Sequence, residues 1–200
     1  MEQFFNKKVS ALGPTPEGAD YNSLQAQEVR FQQFLKLFDH TKSFSLNDYG
    51  CGYGALAHFL VRHGFHFHYT GFDISEAMIA HAKKIAPEDS GWTFCNDSSS
   101  LCPADYTVAC GIFNLKFDAD VDAWKRYILD TLDEIARLSN LGFGFNMLTK
   151  YSDEDHMRPD LYYGDPLFFF DYCHTKFSRN IALLHDYGLY EFTILVRKRR

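Results

Sequence analysis

The stretch Leu46-Asn47-Asp48-Tyr49-Gly50-Cys51-Gly52-Tyr53-Gly54 joins an apolar, strand-like run at 44–49 to a helix-like run at 54–62. Glycines allow a sharp turn, and they let the backbone approach a ligand with no Cβ atom in the way. A helix that begins near Gly54 directs its free backbone N–H groups toward the same point. A glycine-rich loop between a strand and a helix therefore predicts a ligand site at the edge of a sheet.

Repeated β-α units extend this pattern along the chain. Apolar runs predict further strands, and helical periodicity predicts helices between them, at 68–73, 75–85, 92–95, 106–113, 124–138 and 142–148. Two last strands, at 179–184 and 190–197, are joined by a short link around Asp186-Tyr187-Gly188. So short a link requires an antiparallel pair, because a parallel crossover needs a dozen or more residues. The sequence predicts an α/β sheet, mostly parallel, that ends in an antiparallel hairpin.

The remaining segments are the chain start and a late loop. Residues 1–22 are expected to be irregular, and a helix is expected from Asn22 or Ser23 to about Phe38. The polar segment 151–165 predicts a long loop before a helix at 167–177. Two hundred residues fit one domain, 1–200, in which 1–40 form an N-terminal segment and helix that we expect to lid the ligand cleft.

An acid follows the second predicted strand, in Gly71-Phe72-Asp73. A carboxylate at this position accepts hydrogen bonds from both hydroxyls of a ribose. The glycine loop and this acid together predict a cofactor that contains a nucleoside.

Two alternatives remain open at this point. Gly50, Gly52 and Ala55 also fit the dinucleotide fingerprint, and a tight turn without a ligand is a further possibility. Asp48 favours a cationic sulfonium or its ammonium group over a pyrophosphate, which a carboxylate would repel. The antiparallel end of the sheet also departs from the ordinary dinucleotide fold.

Three segments resemble successive motifs of the class I S-adenosylmethionine-dependent methyltransferases. They are Asp48-Tyr49-Gly50-Cys51-Gly52-Tyr53-Gly54, Tyr69-Thr70-Gly71-Phe72-Asp73-Ile74-Ser75 and Asp105–Phe113, and the likeness extends over roughly residues 44–197. The resemblance implies a Rossmann-like α/β sandwich with helices on both faces. It also implies a seven-stranded sheet of order 3-2-1-4-5-7-6 whose last strand is antiparallel, and an enzyme that uses S-adenosylmethionine.

The same resemblance implies a set of cofactor-binding residues. The methionine part would lie against Asp48 and the loop residues Gly50, Cys51, Gly52 and Gly54. The ribose would bind Asp73, the adenine would lie between Ile74 and Met78 with Asp97 at its amino group, and Gly111 and Ile112 would line the cofactor.

The acceptor is expected to be a small polar metabolite or a sugar derivative, methylated on oxygen or nitrogen. The segments Asp20-Tyr21-Asn22, Gln27-x-x-Arg30-Phe31 and Asp160-Leu161-Tyr162-Tyr163 resemble a bacterial subgroup of small methyltransferases found with surface-carbohydrate functions. A nucleotide-dependent oxidoreductase and a non-catalytic S-adenosylmethionine-binding protein remain as alternatives. The sequence specifies neither the acceptor, nor the methylated atom, nor the oligomeric state.

Candidate catalytic residues come from the two irregular segments. Tyr21 and Arg30 lie on or just before the first predicted helix, where Arg30 would clamp a carboxylate or phosphate or form an ordinary surface ion pair. His156 is the candidate general base because its side chain titrates near neutrality, and a solvated loop histidine is the alternative.

Several classes of partner are disfavoured. The net charge of −6 offers no global basic field to nucleic acid, and the basic end Arg197-Lys198-Arg199-Arg200 is short. Asn114-Leu115-Lys116 lacks the Asn/Asp-Pro-Pro-aromatic run typical of amino-directed DNA methyltransferases. His66 and His68 have no third ligand at a telling spacing, so no metal site is expected. Five cysteines without a paired spacing and no long apolar run lead us to expect a cytoplasmic protein with no membrane span.

Overall fold

A seven-stranded sheet runs through the computed structural model, which describes residues 1–198. Its strand order is β3-β2-β1-β4-β5-β7-β6. The strands are β1 Phe44–Tyr49, β2 Phe67–Phe72, β3 Thr93–Cys95, β4 Ala104–Ala109, β5 Ser139–Leu148, β6 Asn180–Leu184 and β7 Glu191–Arg197. The helices are α1 Glu2–Leu12, α2 Leu24–Leu35, α3 Ala55–Arg62, α4 Glu76–Ile85, α5 Val121–Arg137 and α6 Pro166–Lys176.

The pairing of the strands confirms the predicted topology. β1 pairs in parallel with β2 and β4, with Asp48 opposite Gly71 and Val108. β7 is antiparallel to both of its neighbours, β5 and β6. The carboxyl ends of β1, β2 and β4 consequently meet at one edge of the sheet, where open α/β sheets bind their ligands.

Two hydrophobic cores cover the two faces of the sheet. Along β1, Leu46 packs with α2 and α3, whereas Tyr49 packs with α5 and α6 on the opposite face. This alternation follows from the two-residue period of a strand. Helix α5 contributes Ile128, Leu132 and Ile135, which are fully buried. The predicted sandwich with helices on both faces is therefore correct.

The chain start differs from the expectation of an irregular segment. Residues 2–12 form α1, whose one buried side chain is Val9. Asn6 ties the helix to α4, because its Oδ1 atom accepts a hydrogen bond of 2.6 Å from the Ser75 hydroxyl. A helix that buries so little leaves a weak periodic pattern in the sequence, and tertiary packing stabilises it. The expectation for 1–22 was wrong for this reason.

Smaller differences concern the ends of elements. Ser23 caps α2 as expected, since its hydroxyl accepts a bond of 3.1 Å from the Ala26 amide, but the helix ends at Leu35 before the predicted Phe38. β4 ends at Ala109, because Gly111 has a φ of 77° and the chain turns away there. Of the basic end, Arg199 and Arg200 lie outside the described residues. No helix within residues 1–198 is long and apolar enough to span a membrane.

Candidate active site

A cavity of about 330 Å³ lies at the carboxyl edge of β1, β2 and β4. Part of its wall comes from the chain start and α2, which supply Met1, Phe5, Tyr21 and Arg30. Most of the predicted cofactor residues also line it, namely Asp48, Gly50, Cys51, Gly52, Asp73, Ile74, Met78, Gly111 and Ile112. The fold thus brings together residues that are far apart in the sequence.

The loop after β1 forms one wall of this cavity. The amides of Gly50 and Cys51 both donate to the Phe72 carbonyl, at 2.7 and 2.8 Å, so the loop is tied to the end of β2. Gly50 has a φ of 87°, and a Cβ atom there would lie 2.2 Å from Ile112 Cγ2. Gly52 has a φ of 53°. These two positions require glycine, and the bare backbone that results faces the cavity.

Asp48 is a buried carboxylate beside the glycine loop, with 2% of its surface exposed. Its Oδ2 atom accepts a hydrogen bond of 2.7 Å from the Tyr69 hydroxyl. No cationic side chain among residues 1–198 forms an ion pair with it. Burial raises the pKa of Asp48 to about 7, because the charged form loses its hydration. The site therefore favours a ligand that brings its own positive charge.

Asp73 stands at the end of β2, on the other side of the loop. Its two oxygens accept hydrogen bonds from the amides of Gly52, at 2.8 Å, and Ser75, at 2.9 Å. Burial raises the pKa of Asp73, although the two amide donors act in the opposite direction. A carboxylate has about four lone-pair positions, so this one retains acceptor capacity for a diol.

Two of the predicted cofactor residues do not line the cavity. Gly54 precedes α3 and faces Phe94. Asp97 is exposed and caps a 3₁₀ turn. Its carboxylate accepts hydrogen bonds from the Ser99 amide, at 2.9 Å, and from the Ser99 hydroxyl, at 2.7 Å. These bonds lower the pKa of Asp97. Ser98, one residue later, lines the cavity instead. The structure therefore does not bring Gly54 and Asp97 to the cavity wall, and their roles toward the cofactor stay predictions.

Tyr21 and Arg30 lie together on the α2 side of the cavity. The Tyr21 hydroxyl donates to the Cys110 carbonyl at 3.2 Å, and the Arg30 guanidinium carbon lies 5.2 Å from the centre of the Tyr21 ring. Arg30 donates to Glu191 through Nε, at 2.8 Å, and Nη2, at 2.5 Å. The guanidinium is therefore engaged by the protein itself, and the predicted clamp on a substrate anion is not supported. Burial and the neighbouring Cys110 raise the pKa of Tyr21 well above its usual value, so its hydroxyl is a donor and not a base.

His156 does not line the cavity. Its side chain is exposed, its Nδ1 atom lies 3.0 Å from Asp155 Oδ1, and its ring stacks on Tyr190 at 5.7 Å. The loop thus packs against the start of β7 and not over the cavity, and the assignment of His156 as a general base stays a prediction that this position does not favour.

Sequence reasoning missed several cavity residues. Met1 is the N-cap of the unpredicted helix α1, Phe5 lies within that helix, and Tyr127 lies on α5. Asn114 and Leu115 lie in the segment that follows β4. A search of the segments after the strand ends would have found these two residues. The partner of Arg30, Glu191, is 161 positions away in sequence, so only the fold reveals it.

Known proteins similar to this chain identify its family. A family model described as a methyltransferase domain matches residues 47–139. A Mycobacterium tuberculosis protein named "Putative methyltransferase Rv1506c" is 46% identical over 164 residues, which cover 82% of this chain and 99% of that protein. The chain belongs to the class I S-adenosylmethionine-dependent methyltransferase family. The prediction of a methyltransferase enzyme is thereby confirmed.

Solved structures share the fold of this methyltransferase. The N-methyltransferase NodS from Bradyrhizobium japonicum WM9, in complex with S-adenosylhomocysteine, is 14% identical with a TM-score of 0.68, over 100% of this chain and 98% of that one. Human N-acetylserotonin methyltransferase, in complex with S-adenosylmethionine, is 20% identical with a TM-score of 0.60. This chain is covered fully in the second match but spans 60% of the human protein. The ligands of both structures agree with the cofactor predicted from the sequence.

Proposed function

We propose that this methyltransferase binds S-adenosylmethionine in the cavity at the sheet edge and transfers its methyl group to an oxygen or nitrogen atom of a small polar acceptor. The observation that carries the proposal is Asp48, a carboxylate buried in the cavity that accepts a hydrogen bond from a hydroxyl. Among residues 1–198 it forms no ion pair with a cationic side chain. A ligand with an ammonium and a sulfonium group supplies the positive charge that this carboxylate lacks.

The other cavity residues support the same ligand. Asp73 has acceptor capacity for the ribose hydroxyls, and it is held by the amides of Gly52 and Ser75. Ile74 and Met78 offer apolar surface for the adenine ring on the same side of the cavity. We assign the methionine part to Asp48 and the loop backbone from Gly50 to Gly52.

Methyl transfer from a sulfonium requires the protein to orient the reactants and to exclude water more than to provide covalent catalysis. S-adenosylmethionine, when bound, supplies a methyl group that is already activated by the positive sulfur. The chain start provides the cover, because Met1, Phe5 and Tyr21 line the cavity and Asn6 anchors α1 to Ser75. We propose that residues 1–40 form the lid of the site in this way.

The α2 side of the cavity supports an uncharged acceptor. Arg30 lines it, but Glu191 neutralises its charge. Asp20 also lines this side and is paired with Lys8, and the other neighbouring groups are hydroxyl, amide and aromatic. A cavity of about 330 Å³ and a net charge of −6 also favour a small molecule over nucleic acid. A sugar derivative or another polar metabolite fits this surface, and a cytoplasmic location stays a prediction.

Calorimetric titration tests the proposal, with S-adenosylmethionine and S-adenosylhomocysteine as ligands and NADH and NADPH as controls. We expect saturable, one-to-one binding of S-adenosylmethionine and S-adenosylhomocysteine and no binding of the nicotinamide cofactors. An acceptor screen then follows transfer of a labelled methyl group to sugars, amines and phenols. Binding of a nicotinamide cofactor alone would contradict the proposal, and cofactor binding without turnover on any acceptor would contradict its catalytic half.

A further inference from the structure

A second cavity, of about 340 Å³, lies at the edge of the sheet opposite the proposed cofactor site. The amino ends of β4 and β5 and the carboxyl end of β7 meet at this edge, since Tyr106 pairs with Gly142 and Gly142 pairs with Arg197. The segment that follows α2 forms another wall. We call this cavity the basic groove, and its lining includes Lys36, Phe38, Tyr106, Leu141, Arg197 and Lys198.

The basic groove is positively charged, although the net charge of the chain is −6. Three cationic side chains line it, namely Lys36, Arg197 and Lys198. None of the three forms an ion pair with a carboxylate of residues 1–198. An acid, Asp39, also lines the groove, but its carboxylate accepts a hydrogen bond of 2.6 Å from the Thr41 hydroxyl and pairs with Lys42 at 3.1 Å. The charge of the three cations is therefore left for a ligand.

Two of these cations are held in place by carbonyl groups at helix ends. Arg197 donates from Nη2 to the Lys36 carbonyl, at the end of α2, and Lys198 donates from Nζ to the Ala136 carbonyl, in the last turn of α5. The Lys198 amide donates to the Leu141 carbonyl at 2.7 Å. A guanidinium has five N–H donors and an ammonium has three. The other donors of both side chains have no hydrogen-bond partner within residues 1–198, so they are available to an anion.

Without an anion, the positive charge of the basic groove is unfavourable. Arg197 and Lys198 are consecutive residues, and like charges that line one cavity repel each other. Burial lowers the pKa of Lys198, because the ammonium group loses part of its hydration. The bonds to the helix carbonyls occupy one donor of each cation and do not neutralise either charge. A bound anion would remove the repulsion.

The lining favours a phosphate group that is attached to an organic molecule. A phosphate monoester carries a charge of about −1.5 to −2 at neutral pH, which suits three cations better than the single charge of a carboxylate. The fork of an arginine matches two phosphate oxygens, and a lysine binds phosphate as a point charge. The rings of Phe38 and Tyr106, whose centroids lie 5.3 Å apart, and the Leu141 side chain add apolar surface beside the cations.

We propose that the basic groove binds the phosphate monoester of a small organic molecule. The phosphate lies between Lys36, Arg197 and Lys198. The organic part lies against Phe38 and Tyr106. This site is at the far edge of the sheet from the glycine loop, so it is a second ligand site that does not depend on the proposed function.

Calorimetric titration of the native chain tests the site, with phenyl phosphate, inorganic phosphate and phenol as probes in a phosphate-free buffer of low ionic strength. Low salt limits the screening of the cations. We expect phenyl phosphate to bind roughly tenfold tighter than inorganic phosphate, since burial of about 60 Å² of its ring is worth one power of ten. We expect no saturable binding of phenol. Equal affinities for the two phosphates would overturn the assignment to an organic molecule.

The titration is repeated with saturating S-adenosylhomocysteine. We expect the affinity for phenyl phosphate to stay the same. Competition between the two ligands would place the probe in the cofactor cavity and overturn the proposal. Failure of the native chain to bind S-adenosylhomocysteine would contradict the proposed function, whereas the titration without it would still test the basic groove.

Charge-removing substitutions identify the residues that bind the phosphate. Arg197→Gln and Lys198→Gln should each weaken phenyl phosphate binding about tenfold, the effect of one charge-assisted hydrogen bond. Arg197→Lys keeps the charge and a donor for the Lys36 carbonyl but loses the fork, so it serves if Arg197→Gln does not fold. We expect it to bind several-fold more weakly than the native chain.

Lys83→Gln is the matched control, because it removes the same charge from an exposed position on α4. Its affinity for phenyl phosphate should stay within about twofold of that of the native chain. An equal loss in Lys83→Gln and Arg197→Gln would show attraction to the overall charge and overturn the site. Unchanged binding in both Arg197→Gln and Lys198→Gln would overturn it as well.

Discussion

The two sides of the cavity each bury one carboxylate, and the surrounding residues provide these two carboxylates with different hydrogen-bond and charge partners. Asp48, on the glycine-loop side, and Glu191, behind the α2 side, are both 2% exposed. Asp48 has one hydroxyl donor, and burial raises its pKa to about 7. Glu191 receives three donors from Arg30 and Asn146 and is paired with a full positive charge.

This difference in charge pairing distinguishes a carboxylate that stabilises the fold from a carboxylate that binds a ligand. A buried charge that the protein pairs itself contributes to one fixed geometry, whereas a buried charge without a cation costs stability until a ligand supplies one. We infer that Glu191 stabilises the geometry of the site and that Asp48 binds the cofactor.

The largest effect is expected for Glu191→Ala, which leaves the Arg30 guanidinium buried without its counter-ion. The free energy of unfolding should fall by about 3–5 kcal/mol. Urea unfolding measures this loss, with Asp48→Ala as the matched control on the other side. A loss below about 1 kcal/mol would contradict a framework role for Glu191.

Asp48→Asn should stabilise the protein without cofactor at pH 8. The pKa of Asp48 is about 7 in the folded state, above the ordinary value of 3.8, so the folded chain binds the proton more tightly than the unfolded chain. This group therefore favours folding at low pH, and the benefit disappears as the pH rises from about 4 to 7. Removal of the charge should recover roughly 2–4 kcal/mol at pH 8. Thermal unfolding at pH 5 is the control, because the two proteins should differ much less there.

Asp73→Asn tests whether the carboxylate of Asp73, the second acid on the cofactor side of the cavity, binds the ribose. The amide replaces one acceptor oxygen by a donor that faces the Gly52 or Ser75 amide. Affinity for S-adenosylhomocysteine should fall about tenfold, the worth of one charge-assisted hydrogen bond. Adenine alone lacks the ribose, so its affinity should change little. An equal loss for both ligands would contradict the ribose assignment.

The smallest effects are expected outside the cavity. His156→Gln and Asp97→Asn change exposed side chains that do not line it. Cofactor affinity and turnover should stay within about twofold of the native chain, as is usual for surface substitutions. A tenfold loss of turnover in His156→Gln would identify the histidine as a catalytic residue.

The fold could be predicted because its signals are local. The glycine loop at Gly50 and Gly52, the acid Asp73 and the short link before β7 each constrain the chain within a few residues. The first helix was missed because it buries only Val9 and is held by Asn6. Such a helix has little pattern of its own.

The site could be predicted only where it follows strand ends. Asp48 and Asp73 are placed by their own strands, whereas Arg30 is decided by Glu191, a partner 161 residues away. His156 was assigned from its titration range, but the path of its loop depends on Tyr190 in another part of the fold. Contacts between residues that are far apart in the chain produce no recognisable pattern in a single sequence.

The most direct test of the account is the affinity for S-adenosylhomocysteine between pH 5.5 and 8, measured by calorimetry on the native chain and on Asp48→Asn. Below pH 7 the Asp48 carboxyl is protonated and cannot attract the ligand's ammonium group. We predict that the affinity of the native chain rises by up to about tenfold per pH unit toward pH 7 and then levels off, whereas Asp48→Asn binds weakly at every pH. Equal affinities and equal pH dependence in the two proteins would contradict the claim that Asp48 binds the cofactor.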